Sequence, residues 1–225
     1  MSDQRRIVDL SHPVRPGMVT YPGLPGPEIV DHLARADSEG RYAAGTSFQI
    51  GRISMVANTG TYLDTPFHRF ADGADLAAAP LERMVDLPAV VVHLADDVRR
   101  IDHQFLAPYE VEGRAVLVHT GWDRHWATVE YGSAERAPFL TEDAAAALAD
   151  RGASLVGIDS VNIDDMADGR RPAHTTLLAA GIPIVEHLRG LDDLPPEGLR
   201  FHAAPPAVEG MGTFTVRAYV VIGAD

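Results

Sequence analysis

The sequence predicts a strand-rich α/β or mixed α+β fold with one main core. Two continuous runs of β-branched residues, at 89–94 and 115–119, are typical of strands that are buried on both faces. An alanine-rich segment ending at residue 151 follows the second run and leads to a third apolar run at 154–158. Strand, helix and strand at this spacing indicate a βαβ unit.

The first third of the chain is expected to be loop with short strands. Proline and glycine crowd residues 13–27, which favours irregular turns. Short strands are predicted at 7–10 and 47–56, the second with weak alternation of apolar and polar residues.

The helix of the βαβ unit has recognisable ends. Thr141 is suited to the N-cap position, and the carboxylates of Glu142 and Asp143 complement the helix dipole in the first turn. Gly152 is a natural terminating residue, because glycine adopts the left-handed conformation that closes many helices.

The last third of the chain is predicted to contain a short helix and two strands. The helix covers 173–180 and is closed by Gly181, the next strand covers 182–186, and a long closing strand covers 213–222. A glycine cluster at 210–212 precedes a strand instead of opening a helix, so it is not a dinucleotide-binding fingerprint.

Composition excludes several kinds of chemistry. The chain has no cysteine, which excludes thiol nucleophiles, disulfides and thiolate metal sites. All 19 cationic side chains are arginine, so a lysine Schiff base is excluded as well. Catalysis must therefore use histidine, carboxylates and hydroxyl groups.

Charge and hydropathy limit the partners. A net charge of −13 repels polyanions, so nucleic acid is not an expected partner. No apolar run approaches the roughly 18 residues that span a bilayer, so no membrane partner is expected. The N-terminal segment has no apolar stretch of the secretory type, and a cytoplasmic location is expected.

The densest polar cluster is NTGTYLDTPFH at 58–68. Asn58, Tyr62, Asp64 and His68 recur there at even or fourfold spacing, around a glycine and a proline that force a compact backbone. Such a segment can aim several side chains at one point, as a ligand-binding loop must. The same spacing also fits a plain turn, with Asp64 capping backbone N–H groups and His68 on the surface.

A second pair, His174 and Glu186, is separated by the short predicted helix and a turn. Imidazole and carboxylate groups are suitable ligands for zinc or manganese. In isolation, a histidine near a helix start and a glutamate at a strand end are also ordinary features of a folded protein.

Residues 58–68 resemble the signature of the cyclase superfamily, which includes bacterial kynurenine formamidases, isatin hydrolases and polyketide-type cyclases. The pattern of that family is His-x-Gly-Thr-His-x-Asp-x-Pro-x-His. His174 and Glu186 match its distal His and Glu ligands. Other stretches that resemble the family are DLSHPV at 9–14, YPG at 21–23, TGW at 120–122 and VGIDS at 156–160.

The resemblance implies a single swivelling β/β/α domain over 1–225, assembled as a homodimer or homotetramer. In two-metal members, the first two histidines and the Asp hold one ion, and the Asp, the distal His and the Glu hold the other. Carried over, Asp64, His174 and Glu186 are retained ligands, and His68 is the retained acid–base residue.

Asn58 and Tyr62 depart from the family pattern, which has histidine at both positions. An amide oxygen is a poor zinc ligand, and a phenol with a pKa near 10 binds a metal well only when deprotonated. We therefore expect one divalent ion, zinc first and manganese or iron as alternatives, held by the three retained ligands. His68 is either a further ligand or the base.

The function that follows is a metal-dependent hydrolase or cyclase acting on a small amide, lactam or lactone, with arylformamidase-like chemistry. A metal-activated water attacks, His68 transfers protons, and Tyr62 or Asn58 stabilises the oxyanion. One alternative is a metal-free protein of the same fold that only binds a small ligand. Another is a serine hydrolase using Ser160 or Ser54, although no G-x-S-x-G elbow is present.

Residues outside these clusters carry weaker predictions. Arg217 lies in the apolar closing strand, where an unpaired charge is costly, so pairing with a carboxylate is expected. Tyr21, Trp122 and Trp126 could stack on an aromatic substrate, although aromatic residues beside strands more often belong to the core.

Overall fold

A computed structural model describes residues 5–95 and 98–223, so residues 1–4, 96–97 and 224–225 of the expected domain lie outside the described residues. The strands are β1 (Arg6–Asp9), β2 (Glu28–Leu33), β3 (Ile50–Ser54), β4 (Tyr62–Asp64), β5 (Leu87–His93), β6 (Arg100–Ile101), β7 (Ala115–His119), β8 (Phe139–Leu140), β9 (Leu155–Ile158), β10 (Ile184–Glu186), β11 (Leu199–His202), β12 (Thr213–Thr215) and β13 (Tyr219–Ile222). The α-helices are α1 (Arg35–Ser38), α2 (His103–Leu106), α3 (Glu142–Asp150) and α4 (Pro172–Ala179).

Nine of the described strands form one sheet, in the order β1-β13-β11-β5-β7-β9-β10-β4-β12. The strands β5, β7, β9 and β10 pair in parallel, and the flanking pairs are antiparallel. The predicted βαβ unit is confirmed, because α3 connects β7 to the parallel strand β9. Two small sheets, β2–β3 and β6–β8, lie outside the main one.

Both faces of the central strands are buried, as their continuous apolar runs predict. Along β5, Val90 and Val92 belong to a core that includes Leu148 of α3 and residues of α2 and α4. Ala89 and Val91 point the other way, into a second core formed within the curl of the sheet. The helices therefore cover one face of the sheet. The other face is covered by the sheet itself, which curls around the second core.

The single closing strand predicted at 213–222 is wrong. β12 pairs with β4 at one end of the sheet, whereas β13 pairs with β1 and β11 near the other end. Residues 216–218 join them, a connection that reaches at most about 14 Å. A flat sheet of this many strands is about 40 Å wide, so the sheet must curl until its ends meet. The apolar pattern does not reveal this change of partner, because residues of both strands face a core.

The other predicted elements are confirmed with small shifts at their ends, including the helix and strand expected at 173–180 and 182–186. Thr141 occupies the N-cap of α3, but its hydroxyl donates to the Ile101 carbonyl at 3.1 Å instead of capping the helix. Arg217 pairs with Asp9 at 2.8 Å, as expected, although it lies between β12 and β13 and is exposed. Across the described residues, no helix combines the length and apolar character needed to cross a membrane.

β2 and β3 form an exposed antiparallel arm (residues 28–33 and 50–54). The strand predicted at 47–56 is confirmed here, but none of its residues is buried. Ile29, Ile50 and Ile53 are 41%, 49% and 50% exposed. An arm with this many exposed branched aliphatic residues presents apolar surface that the rest of the described chain does not cover.

Candidate metal centre

β4 carries the centre of the site. Tyr62 and Asp64 are two residues apart and therefore share one face of the strand, while Leu63 enters the core on the other. In the sheet register, Tyr62 lies opposite Glu186 of β10, and Asp64 lies opposite Thr213 of β12. Two cross-strand hydrogen bonds result, from the Tyr62 hydroxyl to Glu186 and from the Thr213 hydroxyl to Asp64.

His174 reaches the same place from helix α4 and is almost fully buried. Its Nδ1 lies 2.6 Å from Oδ2 of Asp164, a carboxylate that also accepts the backbone N–H groups of Ala173 and His174. A carboxylate behind the ring is the usual support of a metal-binding histidine. Nε2 is left facing Asp64 Oδ2 at 3.6 Å and Glu186 Oε1 at 3.7 Å.

The donor set fits a divalent cation. Asp64, His68 and His174 each offer a ligand atom, and these atoms lie within 4.8 Å of one another. Oδ2 of Asp64 is buried and has no hydrogen-bond partner among the described residues, which is costly for a carboxylate. Two ligands of a tetrahedral ion are about 3.4 Å apart, close to the separations around His174 Nε2. A cation between these atoms would satisfy the unpaired oxygen.

The electrostatics of His174 also favour a cation at this place. Burial lowers its pKa, but the hydrogen bond to Asp164 and the nearby carboxylates of Asp64 and Glu186 outweigh burial and raise the pKa to about 10. Burial raises the pKa of Glu186 to about 7, although the neighbouring His174 charge opposes this. Three carboxylates around one imidazole require positive charge, which a metal ion can supply in place of the proton.

Tyr62 and Asn58 form a neutral pair at the positions where the family pattern has histidine. The Tyr62 hydroxyl is buried and donates to Oε2 of Glu186 at 2.5 Å. Burial, followed by the charges of Glu186 and Asp64, raises the pKa of the phenol well above its ordinary value. The phenol therefore stays protonated, and Asn58 lines the cavity beside it.

His68 lies on a 3-10 turn, Pro66–His68, and is partly exposed. Its Nδ1 is 2.7 Å from the Thr213 hydroxyl oxygen, and that hydroxyl donates its one proton to Asp64. The Thr213 oxygen must therefore accept from His68, which places the ring hydrogen on Nδ1. The lone pair on Nε2 is then available to accept a proton or to bind a cation.

Gly212 allows the turn that carries His68 to pack against β12. A Cβ atom at position 212 would lie 2.1 Å from the His68 backbone nitrogen, closer than any side chain can approach. The Gly212 carbonyl also accepts the Thr65 N–H at 2.7 Å. The glycine cluster at 210–212, which is not a dinucleotide-binding fingerprint, thus has a structural role beside the site.

The site opens into a cavity of about 310 Å³. Every predicted site residue lines it except Asp64, which is fully buried. Sequence reasoning missed Asp164 and Asn162, whose signal is their place just after β9, since ligands gather at the carboxyl ends of parallel strands. The lining residues are Tyr21, Leu24, Asn58, Tyr62, His68, Arg69, Asn162, Arg171, His174 and Glu186.

Most of the remaining candidates do not line this cavity. Trp122 and Trp126 pack in an aromatic cluster that Tyr21 also contacts, and of the three aromatic candidates Tyr21 alone lines the cavity. The Ser160 hydroxyl is buried and donates to the Pro138 carbonyl at 2.7 Å, and Ser54 lies on the exposed arm. Within the described residues neither hydroxyl contacts a histidine, so the geometry gives a serine nucleophile no support.

Comparison with known proteins finds similarity to the cyclase superfamily along nearly the whole chain. A model of the Cyclase family, described as "Putative cyclase", matches residues 8–165. Kynurenine formamidase from Bacillus cereus is 27% identical over 214 residues, which are 95% of this chain and 96% of that protein.

Two solved structures extend this similarity to the fold. A potential metal-dependent hydrolase with cyclase activity has a TM-score of 0.78 and 29% identity, covering 97% of this chain and 98% of that one. Isatin hydrolase A from Labrenzia aggregata, bound to benzyl benzoate, has a TM-score of 0.83 and 24% identity, covering 98% and 94%. The strand-rich α+β fold predicted from the sequence is confirmed.

Proposed function

The chain belongs to the Cyclase family, and from that premise we propose that it is a metal-dependent hydrolase that cleaves a C–N or C–O bond in a small amide, lactam or lactone. The relative from Bacillus cereus is a kynurenine formamidase, and a structural neighbour is an isatin hydrolase. The observation that carries the proposal is the cluster of Asp64, His68 and His174 around a buried carboxylate oxygen that has no other partner among the described residues.

We propose that Asp64, His174 and Glu186 hold one divalent ion, with zinc as the first choice and manganese or iron as alternatives. When bound, such an ion lowers the pKa of a coordinated water molecule towards about 7 and polarises a carbonyl group. Tyr62 supports the proposal of one ion, because a neutral phenol satisfies the Glu186 oxygen on the side where a second ion would need ligands.

The side chains of the cavity then have separate tasks. The Nε2 atom of His68 accepts a proton during attack and returns it to the leaving group. The Asn58 amide donates to the developing oxyanion. The oxyanion role that the sequence also allowed for Tyr62 is unfavourable, because its single O–H is already donated to Glu186, so Tyr62 positions that carboxylate.

Hydrolysis by reconstituted protein tests this function. Aryl formamides, lactams and aryl lactones are offered to the protein with zinc, manganese or iron, before and after treatment with a chelator. Activity should disappear with the chelator and return with the metal. Full activity in the chelated protein would contradict the proposal.

His68→Gln separates the two roles that remain open for His68. If His68 is the base, kcat falls by about 100-fold or more while metal content is unchanged. If His68 is a ligand, metal affinity falls as well. The metal-free alternative predicts neither metal nor turnover in any of these proteins, only binding of a small ligand.

We also propose that the protein is a homodimer or homotetramer. The exposed arm supports this, because Ile29, Ile50 and Ile53 present apolar side chains to solvent in the isolated chain. A second copy of the chain is the expected cover for that surface.

A further inference from the structure

Two arginines, Arg69 and Arg171, line the same cavity as the metal ligands. In the described part of the chain, neither guanidinium lies within ion-pair distance of a carboxylate. Glu186 is the one acid among the described lining residues, and it already faces His174. In a chain of net charge −13, two arginines at one cavity with no direct ion pair among the described residues point to an anion that binds there.

Arg171 is held over the cavity by an unusual backbone. Its φ of 51° lies in the left-handed region, where a non-glycine residue is strained by about 1 kcal/mol or more. Its guanidinium is half-buried and donates to the Asp165 carbonyl at 3.0 Å, with Tyr21 Oη at 3.5 Å. These contacts orient the guanidinium group. Others of its five N–H donors have no partner among the described residues.

Arg69 lies beside the same helix that Arg171 precedes, α4. It directly follows His68, and its Nε donates to the Thr175 hydroxyl of helix α4 at 3.2 Å. The first turn of that helix cannot itself attract an anion, because Asp164 already accepts the N–H groups of Ala173 and His174. The cationic groups that could attract an anion at this end of the cavity are therefore the two guanidinium groups.

We propose that Arg171, assisted by Arg69, binds a carboxylate on the substrate that takes no part in the bond that is cleaved. A planar guanidinium fork matches a planar carboxylate through parallel hydrogen bonds. The substrate class is then an anionic amide, lactam or lactone, small enough for a cavity of about 310 Å³. This inference rests on the proposed hydrolase function.

A pair of substrates that differ only in charge tests the inference. N-formylanthranilate carries a carboxylate beside the formamide, and formanilide lacks it. In the metal-loaded wild type, kcat/KM should favour N-formylanthranilate. Arg171→Gln should lower kcat/KM for N-formylanthranilate by about tenfold or more and change it for formanilide by less than about threefold.

Three further variants complete the design. Arg171→Lys keeps the charge but loses the fork, so it should recover part of the preference. Arg69→Gln should show a smaller loss than Arg171→Gln, again confined to the anionic substrate. Arg200→Gln is the matched control, because it removes one positive charge from β11, where Arg200 pairs with the exposed Asp86 outside the cavity.

Equal losses on both substrates in Arg171→Gln, or no loss on either, would overturn the carboxylate site while leaving the hydrolase function intact. If the wild type hydrolyses neither substrate, the proposed function is in doubt and binding decides the inference. Titration calorimetry with benzoate and benzamide should then show benzoate binding that weakens about tenfold or more in Arg171→Gln. Equal benzoate affinity in the two proteins would overturn it.

Discussion

At the scale of single residues, Tyr62 marks how this chain differs from the family pattern. Its phenol is buried, neutral and hydrogen-bonded to Glu186, so one carboxylate oxygen of the site is satisfied by a hydroxyl group. Asn58 stands beside it at the other altered position. The chemistry of these two residues is the reason to expect one ion at this site.

Restoring both histidines should restore the second ion. The double variant Asn58→His, Tyr62→His is expected to bind two metal ions per chain, because two imidazoles then join Asp64 in the family's other ligand set. Metal per chain, measured after dialysis against a weak chelator, checks this. Asn58→Gln, Tyr62→Phe is the matched control and should stay at one ion or fewer. Two ions in the wild type would contradict the account.

His12 makes stability depend on pH. Its ring is buried and stacks on Trp126 at 3.8 Å, and its Nε2 has no partner among the described residues. Burial, followed by the charge of Arg189, lowers its pKa from 6.5 to about 4. The unfolded chain therefore binds this proton first as the pH falls, so stability is complete above about pH 6.5 and is lost as the pH falls towards 4.

His12→Phe should remove this part of the acid sensitivity. Phenylalanine keeps the stacking but cannot be protonated, so about 2 kcal/mol of the stability lost between pH 7.5 and pH 5 should disappear. Urea unfolding at both pH values measures it. His32→Phe, at an exposed position, is the control. An unchanged pH dependence in His12→Phe would show that the buried ring is not responsible.

At the scale of elements, the sequence predicts best where burial alone decides. The runs that form β5, β7 and β9 are apolar on both faces, so their pattern identifies them without knowledge of their partners. Residues 213–222 are equally apolar, but the split into β12 and β13 depends on which distant strands they pair with. No local pattern contains that information.

The residues of the candidate site also differ in whether the sequence predicts them. Asp64, His68, His174 and Glu186 could be predicted because the family motif carries their spacing, and the structure brings them together. Arg171 could not, since its position depends on one left-handed backbone angle at the start of α4.

Gly212→Ala tests how β12 positions the turn at 66–68. The new Cβ would collide with the His68 backbone, so the turn must shift, and we expect a loss of about 1–3 kcal/mol in stability together with reduced hydrolysis. Urea unfolding and kcat/KM measure the two effects. Gly169→Ala is the control, because a Cβ there meets no atom within 4 Å. Wild-type values in Gly212→Ala would show that this close contact is not needed.

At the scale of the whole molecule, the curl of the sheet joins the two ends of the chain. β1 near the N-terminus pairs with β13 near the C-terminus, and the connection from β12 to β13 ties the candidate metal centre to this pair. We propose on this basis that the chain folds as one domain. A single unfolding transition, the same by fluorescence and circular dichroism, is the expected result.

The exposed arm should control assembly. Ile53→Asp places a charge within its apolar surface, so the assembled wild type should dissociate to a smaller species in sedimentation equilibrium. Val129→Asp adds the same charge at a residue that is 98% exposed and outside the arm, and should leave the mass unchanged. A wild type that is monomeric at about 100 μM would contradict the proposed oligomer.

The most direct test of the account is the metal content of the protein purified without a metal-affinity tag, beside His174→Ala. We predict about one equivalent of zinc, manganese or iron per chain in the wild type and its loss in the variant, because His174 Nε2 lies between Asp64 and Glu186. Circular dichroism confirms that the variant is folded. No metal in the wild type after incubation with these ions, or equal metal in folded His174→Ala, would contradict the assignment of this site.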